Sequence, residues 1–268
     1  MYLCDLTYRS PALADDPIGA AQDLAECLVR NGQFVGDHVV GIVDQDVRIC
    51  GSLPLADSLD ARYHSDYVRE RLAVLERMSG EPPEIAIHPP DLEREPVHLS
   101  TLDDIRVLIL RTRHEQIASP LWDPECDQHL PLHLVPLSAD DRERVVLWER
   151  VQKTLDHAWF HGPTERIELD AYRERARFDS RQISEGREHA RKIEDALGVP
   201  VYTWLERHYG APEGDDERRC PSCGAAWLVE PASDGNGTAP FRCERCRLAS
   251  HRAHTTEAAE WARFRPVS

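Results

Sequence analysis

Two pairs of cysteines near the C-terminus carry the clearest chemistry in the sequence: Cys220-Pro221-Ser222-Cys223 and, nineteen residues on, Cys243-Glu244-Arg245-Cys246. A C-x₂-C pair turns tightly and presents two thiolates to one side, and two pairs at this separation have the spacing of a four-cysteine zinc site. Zinc takes four thiolates in a tetrahedron with Zn–S bonds of about 2.3 Å, and the closed shell leaves no position for water or substrate. One Zn²⁺ on Cys220, Cys223, Cys243 and Cys246 is therefore expected to be structural, not catalytic. Paired disulfides are the alternative use of the same residues.

Other residues of the right type are less well spaced. Asp123, Cys126, His129 and His133 crowd the stretch 119–136 and are all metal-ligand types, but they fit no standard zinc signature. The bland reading is a proline-rich loop with scattered polar groups. His157 and His161 stand four apart, as two ligands on one helical face would, yet Gly162-Pro163 follows at once. A histidine closing a helix interacts favourably with the helix dipole, which is the competing explanation. The phosphate-loop, dinucleotide, nucleophile-elbow and H-E-x-x-H signatures are all missing, so no catalytic constellation is recognisable. An enzyme is the third choice.

Around the cysteine pairs, Arg218, Arg219, Arg242, Arg245, Arg247 and Arg252 are interleaved with Trp227 and Phe241. Cation plus aromatic is the combination that follows a phosphate backbone while stacking bases, so Arg242, Arg245, Arg247, Trp227 and Phe241 are the candidate nucleic-acid contacts. The charge supporting them is small. Six arginines against Glu230, Asp234 and Glu244 give +3, and four thiolates with one Zn²⁺ bring the module to about +1.

The 268 residues carry a formal charge of −16, which disfavours loose attachment to nucleic acid or anionic lipid. Only two basic residues are lysines, Lys153 and Lys192, so arginine here reflects a GC-rich coding bias as readily as guanidinium chemistry. Neither a membrane span nor a secretory signal is legible, and Cys4, Cys27, Cys50 and Cys126 are scattered singly. A cytoplasmic protein with reduced thiols and no membrane partner is expected.

The elements that must position these residues follow from periodicity. Tyr2, Cys4, Leu6 and Tyr8 alternate as a strand; Asp16-Pro17 opens a helix with Ile18, Ala21, Leu24, Ala25 and Leu28 on its apolar stripe, closed by Asn31-Gly32. Residues 38–43 and 47–53 read as a hairpin, and Tyr67, Val68, Leu72, Leu75 and Met78 as a second amphipathic helix. A strand then follows, either Ile85-Ala86-Ile87 or Ile105 to Leu110. That order, β-α-β-β-α-β, predicts a ferredoxin-like sandwich over 1–112 within an α+β chain. Residues 81–96 read as a surface connection, 119–136 as a long loop or irregular strand pair. Ser138 with Asp141 caps a helix carrying Trp148, Val151, Leu155 and Ala158/Trp159. A further helix runs from about Ser180 to Leu197, and Val201 to Leu205 is extended. The predicted division is 1–112, a loop and helical region over 113–210 packed on it, and a zinc ribbon over 211–268.

The helix from Ser180, the segment Gly198-Val-Pro-Val-Tyr202, Arg219-Cys-Pro-Ser-Cys-Gly-Ala-Ala-Trp227 and Phe241-Arg-Cys-Glu-Arg-Cys-Arg-Leu-Ala-Ser250 together resemble a bacterial family of zinc-ribbon proteins whose suggested role is nucleic-acid binding. The family resemblance also implies a short C-x₂-C pair in the 119–136 stretch. Here Asp123 stands at its first position and only Cys126 remains. Two expectations follow for function. In one, the ribbon docks onto nucleic acid or a nucleic-acid machine; in the other, the chain is an acidic protein–protein adaptor or inhibitor, including the immunity type, with a purely structural ribbon.

Overall fold

The computed structural model describes residues 1–9, 16–89, 102, 105–113, 115, 117–208, 214, 217–229 and 239–253. It is a mixed α+β protein whose described chain forms a four-stranded and a six-stranded sheet. Two compact units contain them: residues 1–102, 117–119 and 129–147, and residues 103–116, 120–128 and 148–268.

In the first unit the alternation of the N-terminus becomes β1 (Tyr2–Tyr8), with Cys4, Leu6 and Tyr8 buried. Asp16 caps α1 (Pro17–Arg30) by accepting from the Gly19 amide at 3.1 Å, and Ala21, Leu24, Ala25 and Leu28 face inward. β2 (Val39–Val43) and β3 (Asp46–Leu53) form the hairpin; Asp44 and Gln45, both at positive φ, make the two-residue turn. Ser65 caps α2 (Asp66–Ser79) and Gly80, in the left-handed conformation, ends it. Of the expected stripe, Val68 and Leu75 are fully buried, Leu72 is half-buried, and Tyr67 is exposed.

The strand that closes this sheet is β4 (Glu84–His88), the shorter of the two expected, pairing antiparallel with β1. Part of the stretch read as a surface connection is thus a strand; its residues 90–96 lie outside the described chain. The sheet order is β2-β3-β1-β4, with every neighbour antiparallel.

Ile105 to Leu110 belongs elsewhere. Its last three residues are β5 (Leu108–Leu110), which pairs with β6 (Leu121–Asp123) and in parallel with β8 (Val201–Trp204). Buried on both faces, β5 shows an unbroken apolar run, as a central strand of a covered sheet must. β7 (Gln128–Leu130) follows β6, so the 119–136 stretch holds a strand pair.

Three α-helices lie between β7 and β8. α3 (Ala139–His161) starts at Ser138, whose hydroxyl accepts from the Asp141 amide at 3.1 Å and donates to the Asp141 carboxylate at 2.8 Å. Trp148 and Trp159 are buried on it, but Val151 is exposed. α4 (Glu165–Ala176), capped by Thr164, has no counterpart in the periodicity of the sequence. α5 (Arg181–Leu197) runs from the Ser180 cap to Gly198 and lies close over β8: a Cβ on Gly186 would sit 2.9 Å from Thr203 and from the Trp148 ring. Among the described residues no helix is long and apolar enough to cross a membrane.

Candidate metal centre

Both cysteine pairs fold by the same local rule. In the first, the Gly224 amide donates to the Cys220 carbonyl at 2.9 Å and Gly224 takes φ +71°. In the second, the Arg247 amide donates to the Cys243 carbonyl at 2.8 Å and Arg247 takes φ +53°. The residue after the second cysteine must therefore turn left-handed. Glycine does so freely, whereas arginine carries a steric cost. Two ion pairs hold Arg247 there: Nη2 to Glu194 at 2.9 Å and Nη1 to Glu244 at 2.5 Å, with the guanidinium over the Tyr202 ring.

These turns bring the sulfurs of Cys220, Cys223, Cys243 and Cys246 within 4.8 Å of one another, and Cys223 and Cys243 lie 3.6 Å apart. A tetrahedron with bonds of about 2.3 Å has edges of about 3.8 Å, so the arrangement fits a metal shared by four thiolates. None of these cysteines is in a disulfide. Burial pushes the thiols of Cys220 and Cys243 up, while a backbone hydrogen bond at Ala225 brings Cys223 down to about 7. Cys223 is also the least covered of the four.

The two cysteine turns are continuous with the second sheet. β9 (Phe241–Cys243) and β10 (Leu248–Ser250) pair antiparallel, and β10 pairs in parallel with β8, giving the order β7-β6-β5-β8-β10-β9. The Thr203 amide donates to the Arg247 carbonyl and the Leu205 amide to the Ala249 carbonyl, each at 2.8 Å. Trp227 and Phe241 pack against each other, rings 5.4 Å apart, in one cluster with Ile183, Leu205 and the cysteines.

That packing decides several expectations. Trp227 and Phe241 are 2% and 1% exposed, so neither offers a free face to a base. Arg247 is held by two carboxylates, and Arg242 is half-buried; Arg245 alone of the three is exposed. The aromatic–cation interleaving in the sequence is the signature of a small core over the cysteines as much as of a binding surface.

The second group of candidate ligands is not brought together; among the described residues only the four cysteines cluster as metal ligands. Asp123 is buried and accepts from the Glu125 amide at 2.9 Å. The Nδ1 of His129 bonds the Ser119 carbonyl, and that of His133 the Gly32 carbonyl at 3.0 Å; Cys126 is exposed. Asp123 and His129 thus serve the backbone of their own stretch, and His133 ties that stretch to the end of α1. His157 and His161, their rings 4.9 Å apart, sit at the end of α3, and among the described residues no third ligand is grouped with them.

Sequence reasoning missed a buried ionic cluster in the second unit. Arg175 on α4 meets Asp156 on α3 and Glu206 after β8, and the Trp204 indole donates to Glu206 at 3.2 Å. The participants stand 19 and 31 residues from Arg175, at no local spacing. A groove in the first unit, about 290 Å³, is lined by Cys27, Arg30, Asn31, Ser65, Tyr67, Arg71, Ala139 and Glu143. Its Arg30 is paired with Glu26 and Glu143.

Residues 1–88, 103–206 and 211–255 match three domains of unknown function (DUF8589, DUF2310 and DUF8594). A crystal structure titled as an antibiotic biosynthesis monooxygenase aligns with 34% of this chain and 99% of its own, at 9% identity and a TM-score of 0.29. Two proteins of Haemophilus influenzae, both named "Uncharacterized protein", are similar over 53% of this chain: one at 29% identity, covering 54% of its length, the other at 30% identity, covering 70% of its length. The chain belongs to the same bacterial protein family as that last relative.

Proposed function

We propose that the protein is a zinc-stabilised binding protein: one Zn²⁺ on Cys220, Cys223, Cys243 and Cys246 closes a zinc ribbon, and the metal's role is structural. The observation that carries this reading is the set of four sulfurs within 4.8 Å. Four thiolates suit zinc, and they leave no coordination position for a reactant. The chain's own residues do the rest. Backbone turns aim the sulfurs, Arg247 fixes the second turn, and Trp227 and Phe241 keep water from the thiolates. A reducing compartment such as the cytoplasm suits eight free cysteines. We read the first unit as a ferredoxin-like sandwich, supported by its element order and the strand order β2-β3-β1-β4.

The favoured partner is a protein with a basic surface, met by a chain of net charge −16. Burial of Trp227 and Phe241 and the pairing of Arg247 favour it over nucleic acid. Arg219, Arg245 and Arg252 are exposed around the ribbon and keep nucleic acid as the second reading.

The decisive experiments use the full chain, because β10 needs β8 as its neighbour. Metal analysis should return one zinc per chain, lost in a Cys223→Ser/Cys243→Ser variant; zinc retained in that variant would sink the metal reading. Titration with single-stranded DNA and RNA at low and rising salt then separates the partners. Salt-sensitive binding that disappears in Arg219→Ala/Arg245→Ala/Arg252→Ala establishes nucleic acid and removes the protein-partner reading.

A further inference from the structure

Arg111, directly after β5, has an unusual environment. Its guanidinium lies 4.0 Å from the Trp204 ring centroid and 5.0 Å from that of Trp122. A guanidinium carries five N–H donors, yet among the described residues none accepts a hydrogen bond from this one. The nearby carboxylates are engaged elsewhere. Asp156 pairs with Arg175, Glu206 accepts from Arg175 and the Trp204 indole, and Asp127 accepts from the Trp122 indole at 2.8 Å. The next residue, Thr112, is 5% exposed, and its Oγ1 is buried without a partner. Arg111, Thr112, Gln152, Arg175 and Glu206 line one cavity of about 10 Å³, room for a single water-sized atom. Arg111 itself is half-buried, not fully enclosed.

We propose that Arg111 and Thr112 form a binding site for the carboxylate of a small organic acid, one carboxylate oxygen entering the cavity beside the Thr112 hydroxyl. The planar fork of a guanidinium matches a carboxylate, and the indole faces supply a flat, apolar wall. The local charges are Arg111, Arg113 and Arg175 against Asp127, Asp156 and Glu206, three of each sign. A monoanion adds one charge to that balance, whereas a phosphate dianion adds two beside Glu206. The cavity's size sets the same preference, since it admits one oxygen and no bulky tetrahedral group. Burial, reinforced by Arg113, brings the Arg111 pKa down to about 10, a strain on the cation that a bound anion relieves. The site is independent of the metal centre and of which macromolecule the protein binds.

The test titrates the full, zinc-loaded chain with sodium formate, with ionic strength held by a bulky sulfonate buffer salt. Tryptophan emission is followed alongside saturation-transfer NMR on the formate proton. The expected result is a saturable one-site curve, weakened at least tenfold in Arg111→Gln and several-fold in Thr112→Val. The second variant is nearly isosteric and serves if the first does not fold. Parallel titrations use chloride and phosphate. No saturable response to formate by either readout, an unchanged curve in both variants, or a chloride response as strong as that to formate would each overturn the carboxylate site.

Discussion

Strands of five to eight residues build the first sheet, and strands of three or four build the second. The two central strands of the first sheet bury one alternating row each: β3 reads buried at every second position, and β1 buries Cys4, Leu6 and Tyr8. Such a sheet is specified along the chain, by period-2 strands and 3.6-period helices. Short strands have too few rungs for that. β9 and β10 are held by cysteines at their turns, and β8 is flanked by Arg175 and Glu206, which are ionic and distant in sequence. One sheet rests on periodic apolar packing; the other adds a few sequence-distant polar anchors to its own apolar clusters.

If the four cysteines hold zinc as proposed, the largest effect that follows from this difference is that of metal removal. Structural zinc in small thiolate sites contributes apparent binding free energies of about 10–16 kcal/mol at neutral pH. Because Thr203 and Leu205 donate to the strand that follows the second cysteine pair, chelation should not stop at residue 220. Hydrogen exchange should show the Thr203 and Leu205 amides losing protection with β9 and β10, while the amides of β1 and β3 keep theirs. Retained protection at Thr203 after complete metal loss would mean that the ribbon folds as an add-on.

Next comes the ionic anchor. Arg175→Met leaves Asp156 and Glu206 buried without their shared cation, and removing one partner of a buried pair costs about 3–5 kcal/mol. Thermal unfolding of the variant should drop accordingly. Restoring most of the loss by adding Asp156→Asn and Glu206→Gln would show that orphaned charge, not lost packing, causes it.

In the first sheet no single residue should matter as much, but burial should rank them. Leu75→Ala empties a fully enclosed site and should cost about 2–5 kcal/mol. Leu72, on the same helix, is only half-buried and should cost clearly less. Equal losses at both positions would contradict the packing described for α2.

How much of this was legible in the sequence follows the same division. β1, α1, the β2–β3 hairpin and α2 have periodicity and caps that can be read residue by residue: Asp16-Pro17, Ser65 and Gly80. The cysteine cluster is legible because two tight turns leave the sulfurs few places to go. The last strand of the first sheet was ambiguous, because Leu108–Leu110 is the more apolar run; apolarity on both faces marks a strand central to a covered sheet, not an edge such as Glu84–His88. α4 was missed because Gly162-Pro163 ends α3 and its own interior is charged, Ala171, Tyr172 and Ala176 being its main buried apolar residues. Trp227 and Phe241 looked like a binding surface because sequence does not distinguish an aromatic that covers a metal from one that awaits a base. The surroundings of Arg111 and Thr112 gave no signal, because Trp122, Gln152 and Trp204 stand far from them in the sequence.

The smallest predicted effect concerns a histidine that looked like a ligand. His133 is 3% exposed; its Nδ1–H donates to the Gly32 carbonyl, and its Nε2 is buried without a partner. Burial, with Arg142 and Arg62 adding like charge, lowers its pKa from 6.5 to about 4, so the folded protein holds it neutral. The unfolded chain takes up a proton below 6.5 while the folded one does so only near 4, so stability must fall across that window as the pH drops and level off below it. Between pH 7 and pH 5 the loss from this residue alone is about 2 kcal/mol, because each pH unit over which only the unfolded chain holds the proton costs about 1.36 kcal/mol. Denaturant melts of the wild type and of His133→Gln, which can keep an N–H for Gly32, should converge as the pH falls from 7 to 5. If the difference between them stays constant, His133 titrates alike in both states, and the neutral, buried role assigned to it is wrong.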